Sequence, residues 1–533
     1  MDPVQPTAEA LAIFGERIAA VGTTQEIRAL AGPKTRVIDA RQGTVLPGFN
    51  DSHVHFFAGG FSLSNVDLRD AVSPEDLVKR LAQYARRTPK GRWIVGGDWD
   101  HENWVGASPA RLGAPASGQS APLPSRSVID PATPEHPVLI TRLDGHMALA
   151  NTLALQLAGV ARHTQDPPGG VIVRDPKTGE PTGVLKDAAQ SLVERVIPPK
   201  SFEEKRAAAL AATNHAASFG VTSLTDVSAD DDFSLYQHLL DRNELKTRIY
   251  AARSIVSWEV LAKSGVCSSF GNDMLRIGIL KGFSDGSLGS STALFFDPYA
   301  DDPLNRGLLF DQMLPEGIMP KRVEAADRCG LQVMIHAIGD EANLRILDLY
   351  QAVAASVGWR DRRFRIEHAQ HLRETEIPRF GRQNVIASVQ PYHAADDGRW
   401  CDKRLGAKRS KSAYAFRSLL DSGAMLAFGS DWTVASLNPL LGIKAAVTRQ
   451  TLDGQHPNGW IPEQKIALDE AIRAYTLGSA YAEFTEKRKG TLSEGKLADV
   501  VILDRDIYQV DPSEIDQARV LVTILGGRPL CER

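Results

Sequence analysis

Eight short apolar segments recur along the chain, and polar residues close each of them. They are TVLPGFNDSHVHF at 44–56, GVTSLTDVS at 220–228, RIYAARSIV at 248–256, LRIGILKGFSDGS at 275–287, LQVMIHAIGD at 331–340, FRIEHAQ at 364–370, VIASVQPYH at 385–393 and MLAFGSDW at 425–432. Val, Ile, Leu and Phe dominate these segments, which is typical of strands buried on both faces. The pattern therefore predicts eight buried strands.

Helical periodicity fills the intervals between the later strands. The stretch 319–330 places Met319, Val323 and Ala326 on one face and ends at a glycine, and 341–358 behaves similarly. Strands that alternate with helices eight times predict an α/β fold, a distorted (β/α)8 TIM barrel. The alternative is an open, doubly wound sheet. We favour the barrel because the polar residues that follow the strands form one chemically coherent set.

The spacing of the strands predicts three parts. About 165 residues separate His55 from the second strand, too many for one loop, so we expect a large insertion after strand 1, an inserted subdomain at about 68–215. Within it, 107–127 is rich in Pro, Ala, Ser and Gly and predicts an exposed loop.

Segments 1–47 and 488–533 are both β-like, which predicts one small β-domain built from both termini around a barrel at 48–487. The alternative is two unrelated extensions of the barrel.

Histidines and one aspartate follow the strands where a barrel carries its active site. His53 and His55 are two residues apart, so their side chains point to the same side of a strand. His336, His368 and Asp431 end three later strands. An HxH pair alone is a weak signal, since ordinary surface or core histidines produce it. Five residues of metal-ligand type at equivalent ends of four strands are a strong signal of a metal site, and these residues suit a divalent cation such as zinc.

Composition narrows the class of protein. The chain has 533 residues, of which 43% are hydrophobic and 24% charged, with a net charge of −4. These values exclude a disordered or collagen-like chain, and they do not favour binding to nucleic acid or an anionic membrane. No apolar run reaches the length of about 18 residues that a membrane span needs. The N-terminus does not read as a signal peptide and the four cysteines are isolated, so we expect a cytoplasmic protein.

The motifs PGFNDSHVH, KGFSDGSLGS, HAIGD, RIEHAQ, QPYH and FGSDW resemble those of the metal-dependent amidohydrolase superfamily. The resemblance extends from Pro47 to the closing GTLSEGKLADVVILD, and is strongest to the branch that includes N-substituted formamide deformylase and YtcJ-like proteins. It implies a distorted TIM barrel with a small β-sandwich from both termini. It also implies that one or two metal ions are bound by His53, His55, His336, His368 and Asp431.

Many members of this superfamily carry a carboxylated lysine after strand 4 that bridges two metal ions. Lys281 in LRIGILK is the candidate here, because a neutral, desolvated lysine can take up CO2 and supply two anionic oxygens. The alternatives are a structural Lys281, for example paired with Asp285, or Lys186 in GVLKDAA as the bridging residue. Lys186 lies in the insertion, in a segment that reads as helix.

The expected reaction is hydrolysis of a non-peptide, amide-type C–N bond of a small molecule. Zinc lowers the pKa of its bound water toward about 7, and the resulting hydroxide would attack the carbonyl carbon. Asp431 would hold the metal, accept the proton of the water and deliver it to the leaving amine. His393, in QPYH, is the candidate catalytic donor to the oxyanion, and His146, in LDGHMALAN, is a second candidate from the insertion.

Further polar residues are candidates for substrate binding: Trp99, His101, His146, Asp285 and Gln390. Trp99 and His101 belong to GGDWDHENW, which serves equally well as an aromatic patch that joins the insertion to the barrel. Asp285 has the alternatives of a group that orients metal ligands or a simple turn residue. Gln390, like Asn343, is more readily explained as an ordinary polar residue of a loop than as a substrate-binding residue.

Two positions depart from the pattern of this branch and weaken any substrate inferred from relatives. Thr433 stands where proline is frequent, and Glu341 where arginine is frequent.

Three functions stay open: amide hydrolysis; the same site acting on a lactone, an ester or a deaminated ring; and a metal-stabilised binding protein without catalysis. The sequence names neither the substrate nor the number of metal ions, and a homodimer is expected only from the frequency of dimers among soluble proteins.

Overall fold

Eight parallel strands form the centre of the molecule. The computed structural model describes residues 5–104, 123–228 and 232–532. In chain order the strands are β1 (Phe49–Val54), β2 (Val221–Asp226), β3 (Arg248–Ser254), β4 (Leu275–Phe283), β5 (Gln332–Ala337), β6 (Arg365–His368), β7 (Ile386–Val389) and β8 (Leu426–Phe428). Each strand pairs with its neighbours along the chain. A parallel bridge between Val54 and Trp432 joins the two edges, which confirms the predicted barrel and not an open sheet.

Helices surround the barrel. They span Phe56–Ser62, Phe202–Ser218, Phe233–Asp241, Trp258–Lys263, Ile318–Arg328, Asp340–Val357, Ile377–Gln383, Pro391–Asp397, Cys401–Leu405, Ala407–Ser410, Phe416–Asp421, Pro439–Thr448, Leu468–Arg473 and Ser479–Ala482. The two helices predicted from periodicity are among them, each displaced by one or two residues. The strands are buried on both faces because helices cover the outside and side chains such as Tyr250, Ile279 and Met334 fill the inside. This explains their continuous apolar character.

A second sheet lies in the long interval between β1 and β2. Its strands are Ile94–Trp99, Val138–Arg142, Met147–Ala150, Gly170–Arg174 and Pro181–Asp187, accompanied by helices Pro74–Arg87, Arg126–Ile129, Thr152–Ala158 and Ser191–Glu194. We call this unit the inserted sheet. The helix expected around Lys186 is wrong, because that segment pairs on both sides as the strand Pro181–Asp187. Most of the loop predicted at 107–127 lies outside the described residues.

Both ends of the chain contribute to a third, antiparallel sheet. It contains the strands Val45–Pro47, Val500–Leu503, Val520–Leu525 and Arg528–Glu532. They lie side by side in this order, with Val45–Pro47 at one edge and Arg528–Glu532 at the other. We call this unit the terminal sheet. A hairpin of Ala10–Phe14 and Arg17–Gly22 precedes it, followed by the short helix Thr24–Arg28. Among the described residues, no helix combines the length and the apolar character needed to cross a membrane.

Candidate metal centre and its cavity

The five ligand-type residues predicted from the sequence converge at the carboxyl ends of the barrel strands. The Oδ1 atom of Asp431 lies 3.3 Å from Nε2 of His55 and 3.5 Å from Nε2 of His53. The ring of His368 has its centre 4.9 Å from that of His53 and 4.5 Å from that of His336. Residues separated by as many as 378 positions, His53 and Asp431, therefore share one small region at the barrel mouth.

The backbone at two of these positions is unusual. His368 and Asp431 have φ angles of 75° and 56°, in the left-handed region that side chains rarely adopt. Local hydrogen bonds hold the second of these turns: the Asp431 amide donates to the His53 carbonyl at 2.8 Å, and the His55 amide donates to the Trp432 carbonyl at 2.7 Å. Such strained conformations persist where the surrounding structure enforces them, as at functional sites.

Three of the histidines have one ring nitrogen fixed by an oxygen outside the cluster. Nδ1 of His53 bonds to the Glu367 carboxylate, and Nδ1 of His368 lies 2.8 Å from Oε1 of Gln390. Nε2 of His336 lies 3.0 Å from the carbonyl oxygen of Gly286. When that nitrogen carries the proton, the other nitrogen of each ring has a free lone pair. Oxygen partners of this kind orient metal-binding histidines in proteins.

Sequence reasoning missed Glu367, which is fully buried beside His53. Burial alone would raise the pKa of this carboxyl, but Arg365 and His53 outweigh burial and lower the pKa to about 2. Arg365 contributes two hydrogen bonds, from Nε at 2.8 Å and from Nη2 at 3.0 Å. The one signal in the sequence was a charged pair inside the otherwise apolar strand FRIEH, where buried charges occur only when they are paired.

The donor set fits a divalent cation. Burial lowers the pKa of His53 to about 4, and it moves the pKa values of His336 and His368 well below their usual range, so these rings are neutral at pH 7. The Oδ1 atom of Asp431 is buried and accepts no hydrogen bond within the described part of the chain. A carboxylate oxygen and imidazole lone pairs that face one another repel unless a cation lies between them.

Lys281, in β4, borders this cluster. Its Nζ atom lies 3.3 Å from Nε2 of His53 and 4.6 Å from the centre of the Phe283 ring. Burial lowers the pKa of Lys281 to about 8, which favours the neutral amine that reacts with CO2. Lys186 instead donates from Nζ to the Ser290 carbonyl at 2.7 Å, away from the cluster. Of the two lysines considered, the structure brings Lys281 to the ligand set.

A cavity opens onto the cluster and is lined by both the barrel and the inserted sheet. His393 lines it from the helix after β7, and its Nε2 atom has no hydrogen-bond partner among the described residues. His146 lines it from the inserted sheet, with its ring centre 5.0 Å from that of His336. Nδ1 of His146 lies 2.7 Å from Oδ1 of Asp187, a carboxylate that sequence reasoning did not single out.

Four other predicted substrate-binding residues have partners within the fold and are not among the described residues that line the cavity. The Trp99 indole donates to the Ile140 carbonyl at 2.9 Å, and His101 is buried beside Arg142. Asp285 accepts hydrogen bonds from the backbone amides of three residues: Leu294, Ile338 and Gly339. Gln390 orients His368, as described above. Trp99 therefore lies in the core of the inserted sheet and not in a patch against the barrel, and Gln390 contacts a candidate ligand, which loop chemistry did not predict.

Comparisons with known proteins agree with this architecture. The family model described as "Amidohydrolase family" matches residues 36–531. Protein LONG AFTER FAR-RED 3 of Arabidopsis thaliana is 40% identical, over 99% of this chain and 89% of its own length. The YtcJ protein of Bacillus subtilis (strain 168) is 30% identical, over 98% and 96%. The N-substituted formamide deformylase of Arthrobacter pascens is 26% identical, over 99% and 95%.

A solved structure also covers nearly the whole chain. The crystal structure of an uncharacterized metal-dependent hydrolase from Pyrococcus horikoshii OT3 matches with a TM-score of 0.72 and 29% identity, over 94% of each chain. The family match, the relatives and the barrel with its ligand set all lead to one assignment. The chain belongs to the amidohydrolase family.

Proposed function

We propose that this protein is a metal-dependent hydrolase that cleaves an amide-type, non-peptide C–N bond in a small molecule. The observation that carries the proposal is the cluster of His53, His55 and Asp431 at the mouth of the barrel, in which a buried carboxylate oxygen accepts no hydrogen bond among the described residues. Zinc is the first candidate ion, because nitrogen and oxygen ligands of this kind suit it.

His53, His55, His336, His368 and Asp431 would hold one or two ions, with a carboxylated Lys281 between them if there are two. A bound divalent cation would acidify water and polarise the substrate carbonyl. Asp431 would accept a proton from the attacking water and pass it to the leaving nitrogen. That second transfer matters for an amide, because an amine leaves readily only when it is protonated.

His393 is the group that we assign to the developing charge on the substrate oxygen. It lines the cavity, and its Nε2 atom has no protein partner among the described residues. A donor held in a buried site stabilises an oxyanion more than it would in water. His146, held by Asp187, faces the same cavity and is the second candidate for this role.

The resemblance to N-substituted formamide deformylase favours an amide over the alternatives. An ester or lactone would need the same water activation but less assistance to the leaving group, so the same residues would also support its hydrolysis. A metal-stabilised binding protein would use the same ligands, so measured turnover separates it from a hydrolase.

The test combines a matched panel of amides and esters with metal analysis and the Asp431→Asn variant. We expect hydrolysis by zinc-loaded protein and a loss of roughly 10²- to 10⁴-fold in kcat for the variant, since asparagine cannot accept the proton. Asparagine tolerates left-handed backbone, so the fold should survive. The exposed Asp421→Asn variant is the control. Turnover of esters alone would select the runner-up, and zinc binding without any turnover would select the binding protein.

A further inference from the structure

One wall of the cavity, formed by the inserted sheet and residues 396–400, carries several carboxylates. Five aspartates line the cavity: Asp100, Asp144, Asp396, Asp397 and Asp431. Four of them have a basic partner. Arg142 donates to Asp100 at 2.7 Å and to Asp144 at 2.6 Å, and Arg399 pairs with Asp396. Asp431 belongs to the histidine cluster. The guanidinium groups at this wall are therefore already engaged by carboxylates.

Asp397 differs from the other four. Across residues 5–104, 123–228 and 232–532, no nitrogen of lysine, arginine or histidine lies within 4.0 Å of its carboxylate. Its Oδ2 atom accepts a hydrogen bond from the hydroxyl of the buried Tyr414 at 2.5 Å, which fixes the carboxyl at the end of the helix Pro391–Asp397. Burial and the neighbouring Asp396 raise the pKa of Asp397 to about 8, although Arg142 and Arg399 act in the opposite direction, so the carboxyl is largely protonated at pH 7 unless a bound cation favours its ionised form.

Two further polar atoms of this cavity have no partner among the described residues. They are Nε1 of Trp400 and Nε2 of His393. Both side chains line the cavity, and both residues are more than nine-tenths buried, with 8% and 7% of their surfaces exposed. Buried polar atoms without partners are rare, and in a cavity they indicate contacts that a ligand makes. Nε2 of His393 is already assigned to the substrate oxygen beside the metal centre, so Nε1 of Trp400, which can only donate, is the atom that indicates a ligand acceptor at this wall.

We propose that Asp397 binds a protonated amine on the substrate, so that the substrates are small amides with an ammonium group remote from the scissile bond. This inference rests on the proposed function, because it assigns the substrate class of the same site. A bound ammonium group would favour the ionised form of Asp397, with release of its proton, and a charge-assisted hydrogen bond in a buried site is stronger than a neutral one.

A substrate with an anionic end fits less well. Its carboxylate would meet Asp396 and Asp397 and would have to displace Asp100 or Asp144 from Arg142. Like charges brought together in a buried site raise the cost of binding by desolvation and repulsion. Apolar residues of the cavity, among them Leu143, Leu288 and Val434, would contact the carbon chain between the amide and the amine.

The first arm of the test measures hydrolysis of paired amides that differ only in a terminal ammonium or hydroxyl group. We expect wild-type protein to prefer the ammonium member by roughly ten- to a hundredfold in kcat/KM. The Asp397→Asn variant, which keeps an acceptor for Tyr414, should lose that preference. Asp397→Glu should restore part of the preference. The exposed Asp402→Asn variant is the matched control and should behave as wild type.

The second arm does not depend on catalysis. Calorimetry would compare binding of n-butylammonium and 1-butanol to the full zinc-loaded chain. Preference for n-butylammonium that disappears in Asp397→Asn supports the subsite, even if no amide is hydrolysed and the proposed function fails. Equal binding of the two probes by wild type, or equal hydrolysis of the two amides, overturns the subsite and leaves the hydrolase intact. If Asp397→Asn does not fold, the wild-type comparison of the two probes decides alone.

Discussion

At the scale of single residues, a carboxylate outside the ligand set determines the state of a ligand. Glu367 accepts the Nδ1 proton of His53, so the Nε2 lone pair faces Asp431. The same carboxylate is held by Arg365, which also donates to the Ser52 carbonyl at 2.6 Å. The position of His53 therefore depends on two charged residues from β6 that never reach the cavity.

We predict that Glu367→Gln weakens metal binding. Glutamine removes the negative charge beside Nδ1, so the ring is a poorer ligand, and partners of this kind typically contribute about 10- to 100-fold to affinity. The zinc dissociation constant, measured by competition with a coloured chelator, should rise by roughly that factor. The exposed Glu374→Gln variant is the control. An unchanged dissociation constant in Glu367→Gln would remove Glu367 from the metal centre and leave it a structural residue.

At the scale of elements, the helix Phe56–Ser62 holds the turn that carries Asp431. This helix follows β1 directly, and its Gly59 packs against the ring of Trp432, where a Cβ atom would overlap the indole. The ring of His215 stacks on the same indole, with centres 5.1 Å apart. Two helices thus fix Trp432, and through it the neighbouring Asp431.

We predict that Gly59→Ala destabilises the protein and displaces the turn. Overpacking of this kind costs about 1–3 kcal/mol, because backbone and ring must move apart. Thermal unfolding should show the lower stability, and the zinc dissociation constant should rise with it. Ala58→Ser, on the exposed side of the same helix, is the control. A Gly59→Ala protein with lower stability but wild-type zinc affinity would show that Trp432 does not position Asp431.

At the scale of the whole molecule, a buried ion pair joins the barrel to the terminal sheet. Arg248, in β3, donates to both oxygens of Asp499, at 2.7 and 2.8 Å, and both side chains are almost fully buried. Asp499 directly precedes the strand Val500–Leu503 and also accepts a hydrogen bond from the Gly526 amide. The pair therefore connects the barrel to the terminal sheet through two residues that are 251 positions apart.

We predict that Asp499→Ala lowers the free energy of unfolding by about 3–5 kcal/mol, because it leaves a buried guanidinium without a counter-charge. Chemical denaturation measures the change. The matched control is Glu532→Gln, which breaks the exposed pair with Arg36 in the same sheet and should cost no more than about 1 kcal/mol. Similar losses in the two variants would mean that burial does not govern this contact.

The sequence by itself determined the barrel and indicated the candidate ligand residues that its strand ends bring together. Apolar segments with helices between them specify strands buried on both faces, and HVH, IH, EH and SD at their ends specify which side chains reach the mouth. That information is local, because each strand carries its own pattern and the barrel brings the carboxyl ends together. The position of Lys281 in β4 followed from the same order of strands.

Only the tertiary structure decided which residues from distant segments of the chain lie in contact. Glu367 lies beside His53 and Asp187 lies beside His146, although no periodicity in the sequence relates the members of either pair. Asp397 lines the cavity, and no pattern around it in the sequence indicated this. The inserted sheet also turns Trp99 into its own core and brings Arg142 to the cavity, although both come from neighbouring strands of equal apolar character. Contacts between distant segments depend on the path of the chain and on packing between units, and hydrophobic periodicity records only how each segment is buried.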